Sequence, residues 1–529
     1  MELAFGNAWL KLNTYFGTSA YLTVFIVAFM YLVYKGRKKR DVREKTFVWY
    51  SIIFWLLYFL PPTAYVIATL MIGQDVYWRM FWLLPDEIII AYALTKVISS
   101  AEGRIKKAAL VALGALVIVS SGVAVYDRYE YADKLNLHKL DSETLALCTI
   151  IEDDSSQKGI EPMVVVADED VLCEVRIYDA NIKMPYGRNA LRAQDMDERS
   201  RQLFDTISQT NLSGTALAFY MERWDIPYVI YPNDDNSKAI LTAAGFEIVG
   251  EAGENAVYAL AEDYSDVWLI TQYGDYYGNQ QMCYVIQNIE GYTILVDGGM
   301  PEYEESVRYV LKMLGNDVDA WILTHPHDDH ISVFNAIYKN PDGIKIGEIY
   351  TVDMADPELI MEEASWDSVD AYNDFLSLGI EDINYVHKGD VLDFDGLTFT
   401  VLNAYDEYVD ELSDDLLNDG SMMFKIENKE QSMLFCSDVG KKMSEYLLEE
   451  YGDFLKSDYL QMGHHGNGGL KADFYRTVAP SVALFDAPYS VWTNQLDRYT
   501  TVENRKLLRS ELGAAVYCFE TAPNSLPLR

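Results

Sequence analysis

The sequence predicts a chain in three parts. An α-helical membrane domain of about four spans covers residues 1–126, a small α/β domain covers 127–265, and a larger domain of short strands and helices covers 266–529. Three observations predict this. Long uncharged runs are confined to the first quarter. The charge balance reverses where they end. From there the apolar pattern becomes that of short strands alternating with amphipathic helices. At 529 residues the chain is also too long for one ordinary core.

Residues 12–34, 46–74 and 108–126 each lack Asp, Glu, Lys and Arg altogether. Such runs reach the ~20 apolar residues that a spanning helix needs. No small-residue cleavage site follows the first run, which sets a signal peptide aside. Lys35 to Lys45 holds seven basic residues against two acidic, and Arg104, Lys106 and Lys107 stand against Glu102. The positive-inside rule places both loops on the cytoplasmic side. An even number of crossings must separate them. Residues 77–101 are therefore expected to span despite Asp86, Glu87 and Lys96, with Tyr77, Trp78, Phe81 and Trp82 as an interfacial belt and Pro61-Pro62 kinking the span before. Were 77–101 to lie flat instead, everything downstream would change sides. The expectation is an integral protein of a bacterial cell membrane, with the lipid bilayer as a partner and the later domains extracytoplasmic.

The charge splits at the same boundary. Residues 1–126 carry 13 Lys and Arg against 7 Asp and Glu, and residues 127–529 carry 29 against 74. A net of +6 thus gives way to −45, which excludes nucleic acid as a partner, because phosphate binding runs on clustered Lys and Arg. Five cysteines form no CxxC pair. One disulfide, for instance Cys148 with Cys173, would suit an extracellular setting, whereas Cys283 and Cys436 read as buried hydrophobes in strand-like runs.

In the middle domain Met163–Val166, Tyr228–Tyr231, 246–249 and 256–260 read as strands, and 197–210 and 214–224 as helices. It holds no Gly-rich phosphate loop and no His/Cys cluster. A spacer or partner-binding role is the expectation. Further on, strands are expected at 267–272, 293–297, 320–324, 398–402, 432–437 and 482–485.

Five of the chain's seven histidines fall in two short clusters of this last part. Trp321 to Thr324 reads as a buried strand that delivers His325-Pro326-His327-Asp328-Asp329-His330 into a loop. Imidazole nitrogens and carboxylate oxygens are the ligands that zinc-like ions take. At this spacing His325 and His327 can face one cation while Asp329 and His330 turn to a second. Water held between two such cations ionises near neutral pH and becomes a nucleophile. His387, before a strand, reads as a solvated turn residue, and Asp328 as a residue that either supports the ligands from behind or faces solvent.

The cluster resembles the HxHxDH signature of the metallo-β-lactamase superfamily, and other pieces follow in that family's order. Val296-Asp297-Gly298-Gly299 resembles its early Asp-Gly motif. Leu434-Phe435-Cys436-Ser437-Asp438 resembles the strand end with the carboxylate that bridges both metals, and Gln461 to Asn467 carries the late histidines His464 and His465. The resemblance spans about residues 266–529. It implies an αββα sandwich holding two divalent transition-metal ions at one edge, zinc with manganese as the alternative. It further implies His325, His327, Asp329, His330, Asp438, His464 and His465 as metal ligands and Asp329 and His465 as catalytic. Asp297 and Asn418 would support the ligands, and Ser437 and Asn467 would contact substrate or shape their loops.

The His-His-Gly element, with Asn418 to Ser421 ahead of Asp438, is similar to competence DNA-uptake hydrolase domains and to choline-phosphate esterases. Asn418 stands where β-lactamases have a third His, and His327 where competence proteins have Asp. The implied activity is hydrolysis of phosphodiester bonds in a small-molecule or surface-polymer substrate. A β-lactamase or lactonase, and a non-catalytic sensor or scaffold on the same fold, are the alternatives. Oligomeric state is left open.

Overall fold

The computed structural model describes residues 8, 10–13, 15–17, 19–38, 42–73, 76–121, 138, 140–188, 190 and 196–529. The chain divides into two compact units, Met1–Asp133 and Lys134–Arg529.

The first unit is helical, but among the described residues no helix is long and apolar enough to cross a membrane. This overturns the four-span expectation, and with it the placement as an integral membrane protein with extracytoplasmic later domains. The physical reason lies in where the helices start and stop. Tyr21–Lys38, Val42–Phe59 and Arg104–Ser121 each have 18 residues. Each also takes three charged residues from a flanking segment: Lys35, Arg37 and Lys38, then Arg43, Glu44 and Lys45, then Arg104, Lys106 and Lys107.

The uncharged run 46–74 is not one helix. Proline disfavours α geometry in the residue before it, so Leu60 is extended and Pro61 opens a new short helix, Pro61–Val66. Segment 77–101 likewise breaks before Asp86, into a 3-10 helix Tyr77–Leu83 and the helix Asp86–Ser100. Of the residues read as an interfacial belt, Tyr77 and Phe81 are buried in the bundle. The Tyr77 hydroxyl donates to the Tyr58 carbonyl at 2.8 Å and its ring stacks on Tyr58. Glu44 is also inside, 3.2 Å from the Lys96 ammonium.

In the second unit the middle domain is a four-stranded sheet of β1 (Val164–Val166), β2 (Tyr228–Pro232), β3 (Phe246–Ala252) and β4 (Asn255–Leu260), in the order β1-β2-β4-β3. Its helices start on side-chain caps: Asp141, Asp168, Asp197, Ser213 and Asp234 each accept from first-turn N–H groups. Four of the domain's many acidic residues thus serve helix initiation, where carboxylates satisfy orphan donors and favour the dipole.

Two seven-stranded sheets follow. β5 (Trp268–Gln272), β6 (Cys283–Gln287), β7 (Thr293–Asp297), β8 (Asp317–Leu323), β9 (Lys345–Val352) and β10 (Asn384–Val386) build the first. β11 (Val391–Phe394), β12 (Leu397–Asn403), β13 (Met423–Glu427), β14 (Ser432–Phe435), β15 (Tyr459–Gln461), β16 (Val482–Leu484) and β17 (Ala515–Tyr517) build the second. β18 (Asn524–Leu528) returns to the first sheet and pairs antiparallel with β5. β7 to β10 are parallel to one another, as are β14 to β17.

The sheets meet through aromatic side chains. Phe424 stacks on Phe399 at 4.3 Å and on Phe435 at 4.6 Å, and Phe435 meets Tyr284 of the other sheet edge-on at 5.1 Å. Helices such as Glu304–Met313 and Ser444–Tyr451 add buried residues to this core, which completes the αββα sandwich. All five cysteines are free, with Cys283 and Cys436 buried.

Phe424→Ala removes the middle ring of the stack. The transition that reports this domain in chemical denaturation should lose about 3–5 kcal/mol; a loss under ~1 kcal/mol would show that the stack does not hold the sheets together.

Candidate metal centre

Parallel strands bring their C-terminal ends to one edge of each sheet, and the loops that leave those ends carry the chemistry. β7 ends on Asp297. β8 runs into His325–His330, β14 into Asp438, and β15 into His464 and His465. His330 and His465 lie inside the sandwich edge, and His325 is fully buried as well.

Asp297 sets the first loop. It sits in the left-handed region at φ 53, and its carboxylate accepts the Thr324 N–H at 2.8 Å, the Thr324 hydroxyl at 2.7 Å and His330 Nδ1 at 2.8 Å. His330 Nδ1–H is thereby committed to Asp297, which leaves Nε2 bare toward the interior. It lies 3.4 Å from Asp438 Oδ1 and 3.8 Å from Asp329 Oδ1. His325 Nε2 and His327 Nδ1 face each other at 2.9 Å. On its far side His327 Nε2 meets both oxygens of Asp367, at 3.0 and 3.2 Å.

The late histidines occupy an unusual turn. His464 (φ 52, ψ 51) and His465 (φ 56, ψ 17) are consecutive left-handed residues, a geometry that costs on the order of 1–3 kcal/mol each for non-glycine residues. Gly466 follows at φ 81, where a Cβ would fall 2.1 Å from the Phe485 ring. The turn aims the two rings differently. His465 is buried, with Nε2 3.0 Å from Asp329 Oδ2 and 3.4 Å from Asp438 Oδ2. His464 keeps 35% of its side chain exposed, with Nε2 3.8 Å from Asp438 Oδ2.

The electrostatics follow from these distances. Burial alone would raise the Asp329 and Asp438 pKa values, but the imidazoles beside them hold both carboxyls well below the usual range. Burial lowers His330, yet Asp438, Asp297 and Asp329 outweigh it and lift the pKa to about 10. His465 is lifted well above its ordinary value in the same way by Asp438 and Asp329. His325 goes the other way, lowered by burial and then by the charges of His330 and His327. The site thus demands positive charge beside its carboxylates. A divalent cation satisfies that demand and needs the imidazoles neutral.

Orphaned atoms test whether a cation fits. His330 Nε2, His465 Nδ1 and Asp438 Oδ1 are buried with no hydrogen-bond partner, and leaving such atoms unmatched costs about 1–3 kcal/mol each. Two sets, His325–His330–Asp438 and Asp329–His330–His465, bring ligand atoms within 4.8 Å of one another. The donors are imidazole and carboxylate, with no thiolate among them, which suits zinc, manganese or iron. The residues fit a divalent-metal site.

Asn418 is buried with its amide nitrogen on Asp415 at 3.2 Å. Ser437 is fully buried, its hydroxyl donating to the Met422 carbonyl and its N–H to Gln461 Oε1 at 2.8 Å. That is the geometry of a loop-shaping contact. The Asn467 amide oxygen accepts the Thr500 N–H at 3.1 Å. His387 is exposed at 70% of its side chain, away from the cluster. Sequence reasoning missed Asp367, because it lies in an acidic stretch that reads as a solvated face. It also missed Asp486, a fully buried carboxylate just past β16.

Residues 276–402 match the family described as Metallo-beta-lactamase superfamily. No curated protein matches the sequence. Among solved structures, the metallo-beta-lactamase fold protein YhfI from Bacillus subtilis is 16% identical, with 50% of this chain and 100% of that one covered and a TM-score of 0.33. CmlA, a diiron beta-hydroxylase from Streptomyces venezuelae, is 15% identical over 63% of each chain with a TM-score of 0.34. A diphosphatase from the PhnP family is 14% identical, covering 47% and 84%, with a TM-score of 0.29. The chain carries a metallo-β-lactamase superfamily domain, matched over residues 276–402.

Proposed function

We propose that the cluster holds two divalent transition-metal ions, zinc or manganese, and hydrolyses phosphodiester bonds. The observation that carries the reading is a pair of donor sets, His325–His330–Asp438 and Asp329–His330–His465, each with its ligand atoms within 4.8 Å of one another. Two such sets side by side suit two ions rather than one. His325, His327 and Asp438 would hold the first ion, and Asp329, His330, His465 and Asp438 the second.

Bound there, the pair would supply Lewis acidity, lowering the pKa of water and stabilising charge on the ester oxygens. The chain's own groups do the rest. Asp329, 17% exposed and beside His465, accepts the proton of the attacking water. His465 is enclosed by two carboxylates, so in this reading it serves as a ligand. His464, partly exposed at the mouth, is the group placed to protonate the leaving oxygen. Asp367 fixes the His327 ring from behind, as carboxylates do for ligating imidazoles. Support for a phosphoester over a lactam is the donor set, where Asn418 stands in place of a third His and turns to Asp415.

After metal loading, the full-length protein should hold close to two equivalents of zinc or manganese by elemental analysis. A chelator should abolish its hydrolysis of bis(p-nitrophenyl) phosphate, metal add-back should restore it, and nitrocefin should stay intact. Under one equivalent, or turnover indifferent to chelation, would sink the metallohydrolase reading. Nitrocefin turnover alone would move the substrate to lactams.

Asp438→Asn should lower kcat/KM by about 10³-fold, the equivalent of the several kcal/mol that paired ions supply. Asp297→Asn leaves the ligands in place and should instead weaken metal binding about 10- to 100-fold. Equal effects of the two on metal affinity, with no added loss of turnover in Asp438→Asn, would remove Asp438 from the bridging role.

A further inference from the structure

Behind the cluster a chain of buried side-chain hydrogen bonds joins the two sheets, and it ends on the peptide that carries Asp438. Asp486 lies at its centre, with no exposed surface. Its Oδ1 accepts the Gln272 amide at 2.7 Å and the Tyr284 hydroxyl at 2.7 Å. Its Oδ2 accepts Gln461 Nε2 at 2.8 Å. Gln272 and Tyr284 belong to β5 and β6 of the first sheet, whereas Gln461 ends β15 of the second. Gln272 and Gln461 are themselves fully buried.

The two ends of a glutamine amide differ: one donates twice and the other only accepts. Both Asp486 oxygens accept, so the NH2 groups of both glutamines turn toward it, which fixes which way each amide points. For Gln272 this turns Oε1 to the Asn524 amide at 2.7 Å. For Gln461 it turns Oε1 to the Ser437 N–H at 2.8 Å. Ser437 is a left-handed residue at φ 47, a conformation that persists only where its surroundings hold it. Gln461 holds its N–H, the Met422 carbonyl takes its hydroxyl, and its own carbonyl accepts the His464 N–H at 2.8 Å. The next residue is Asp438. One amide orientation therefore sets both the Asp438 carboxylate and the His464 turn.

We infer that Asp486 is a positioning residue for the metal centre, acting through Gln461 and Ser437 to aim Asp438. The inference rests on the metal reading above. Asp486→Asn keeps the volume but can present an N–H to Gln461, which turns the Gln461 amide and sets its NH2 against the Ser437 N–H. Gln461→Glu instead sets two carboxylates against each other. Combining them restores the match. The new amide at position 486 still accepts from Gln272 and Tyr284 through its oxygen and donates through its nitrogen to the new carboxylate at position 461. The other oxygen of that carboxylate accepts from Ser437. Rescue is partial, because Gln461 Nε2 also donates to the Met462 carbonyl at 2.8 Å, a bond that a carboxylate cannot make.

The test is zinc affinity of the full-length chain, read by competition with a chromogenic chelator, beside the melting temperature of the metal-free protein. Each single substitution should weaken zinc binding about 10- to 100-fold, and the double variant should recover most of that loss. Tyr284→Phe removes a donor from Asp486 without turning Gln461, so it should lower the melting temperature and leave zinc affinity within about twofold. If the single variants fail to fold, recovery of soluble, zinc-binding protein in the double variant reads the same coupling. Single variants with wild-type affinity, losses that add in the double variant, or a double variant that recovers neither folding nor affinity would overturn the inference. A wild-type protein that binds no zinc would fail the metal reading itself.

Discussion

Asp438, buried, and Asp329, half-buried, together lie within 3.8 Å of three imidazoles at the edge of an apolar sandwich, and the neighbouring structure is arranged around keeping them charged there. An isolated carboxylate in such a place would take up a proton. Here the surrounding nitrogens supply the opposing charge, and the loops that carry those nitrogens are tied down one by one. Asp297 commits His330 Nδ1, Asp367 commits His327 Nε2, and the Gly463–Gly466 turn accepts two strained residues so that His465 reaches inward while His464 stays at the surface. Strain of this kind persists where the frame around it is rigid. The stacked Phe399, Phe424 and Phe435 and the Asp486 network, which both sit between the sheets, supply that rigidity.

Much of the sandwich was legible because its strands are short, apolar and bounded by turns. The strand that precedes His325 and the strand that ends on Asp297 announce themselves by composition. The six-residue cluster was legible because histidines are rare in this chain and five gather in two places. What could not be read was which residues stand opposite one another in space. Asp367 sits 40 residues after His327 in an acidic stretch, and only the fold shows it facing an imidazole. Asp486 follows an ordinary strand, with nothing nearby in sequence to mark it as the hub of a network. The choice between His464 and His465 was likewise closed to sequence, since it turns on two positive φ angles.

The first unit shows the opposite failure. Its uncharged runs carry a strong hydropathy signal, but hydropathy over a window does not say where a helix starts or stops. Pro61 splits one run, Pro85 precedes a restart at Asp86, and the longest helices extend into their charged flanks. The aromatic residues that read as an interfacial belt include two that pack inside the bundle. Backbone breaks decided the outcome, and they carry little weight in a hydropathy average.

The central claim is that Asp438 lies between two metal ions. Anomalous X-ray diffraction from crystals of the zinc-loaded full-length protein tests it most directly. The account predicts two peaks about 3.5–4 Å apart, one beside His325 and His327, the other beside Asp329, His330 and His465, with Asp438 between them. A single peak, or a pair that Asp438 does not join, would contradict it.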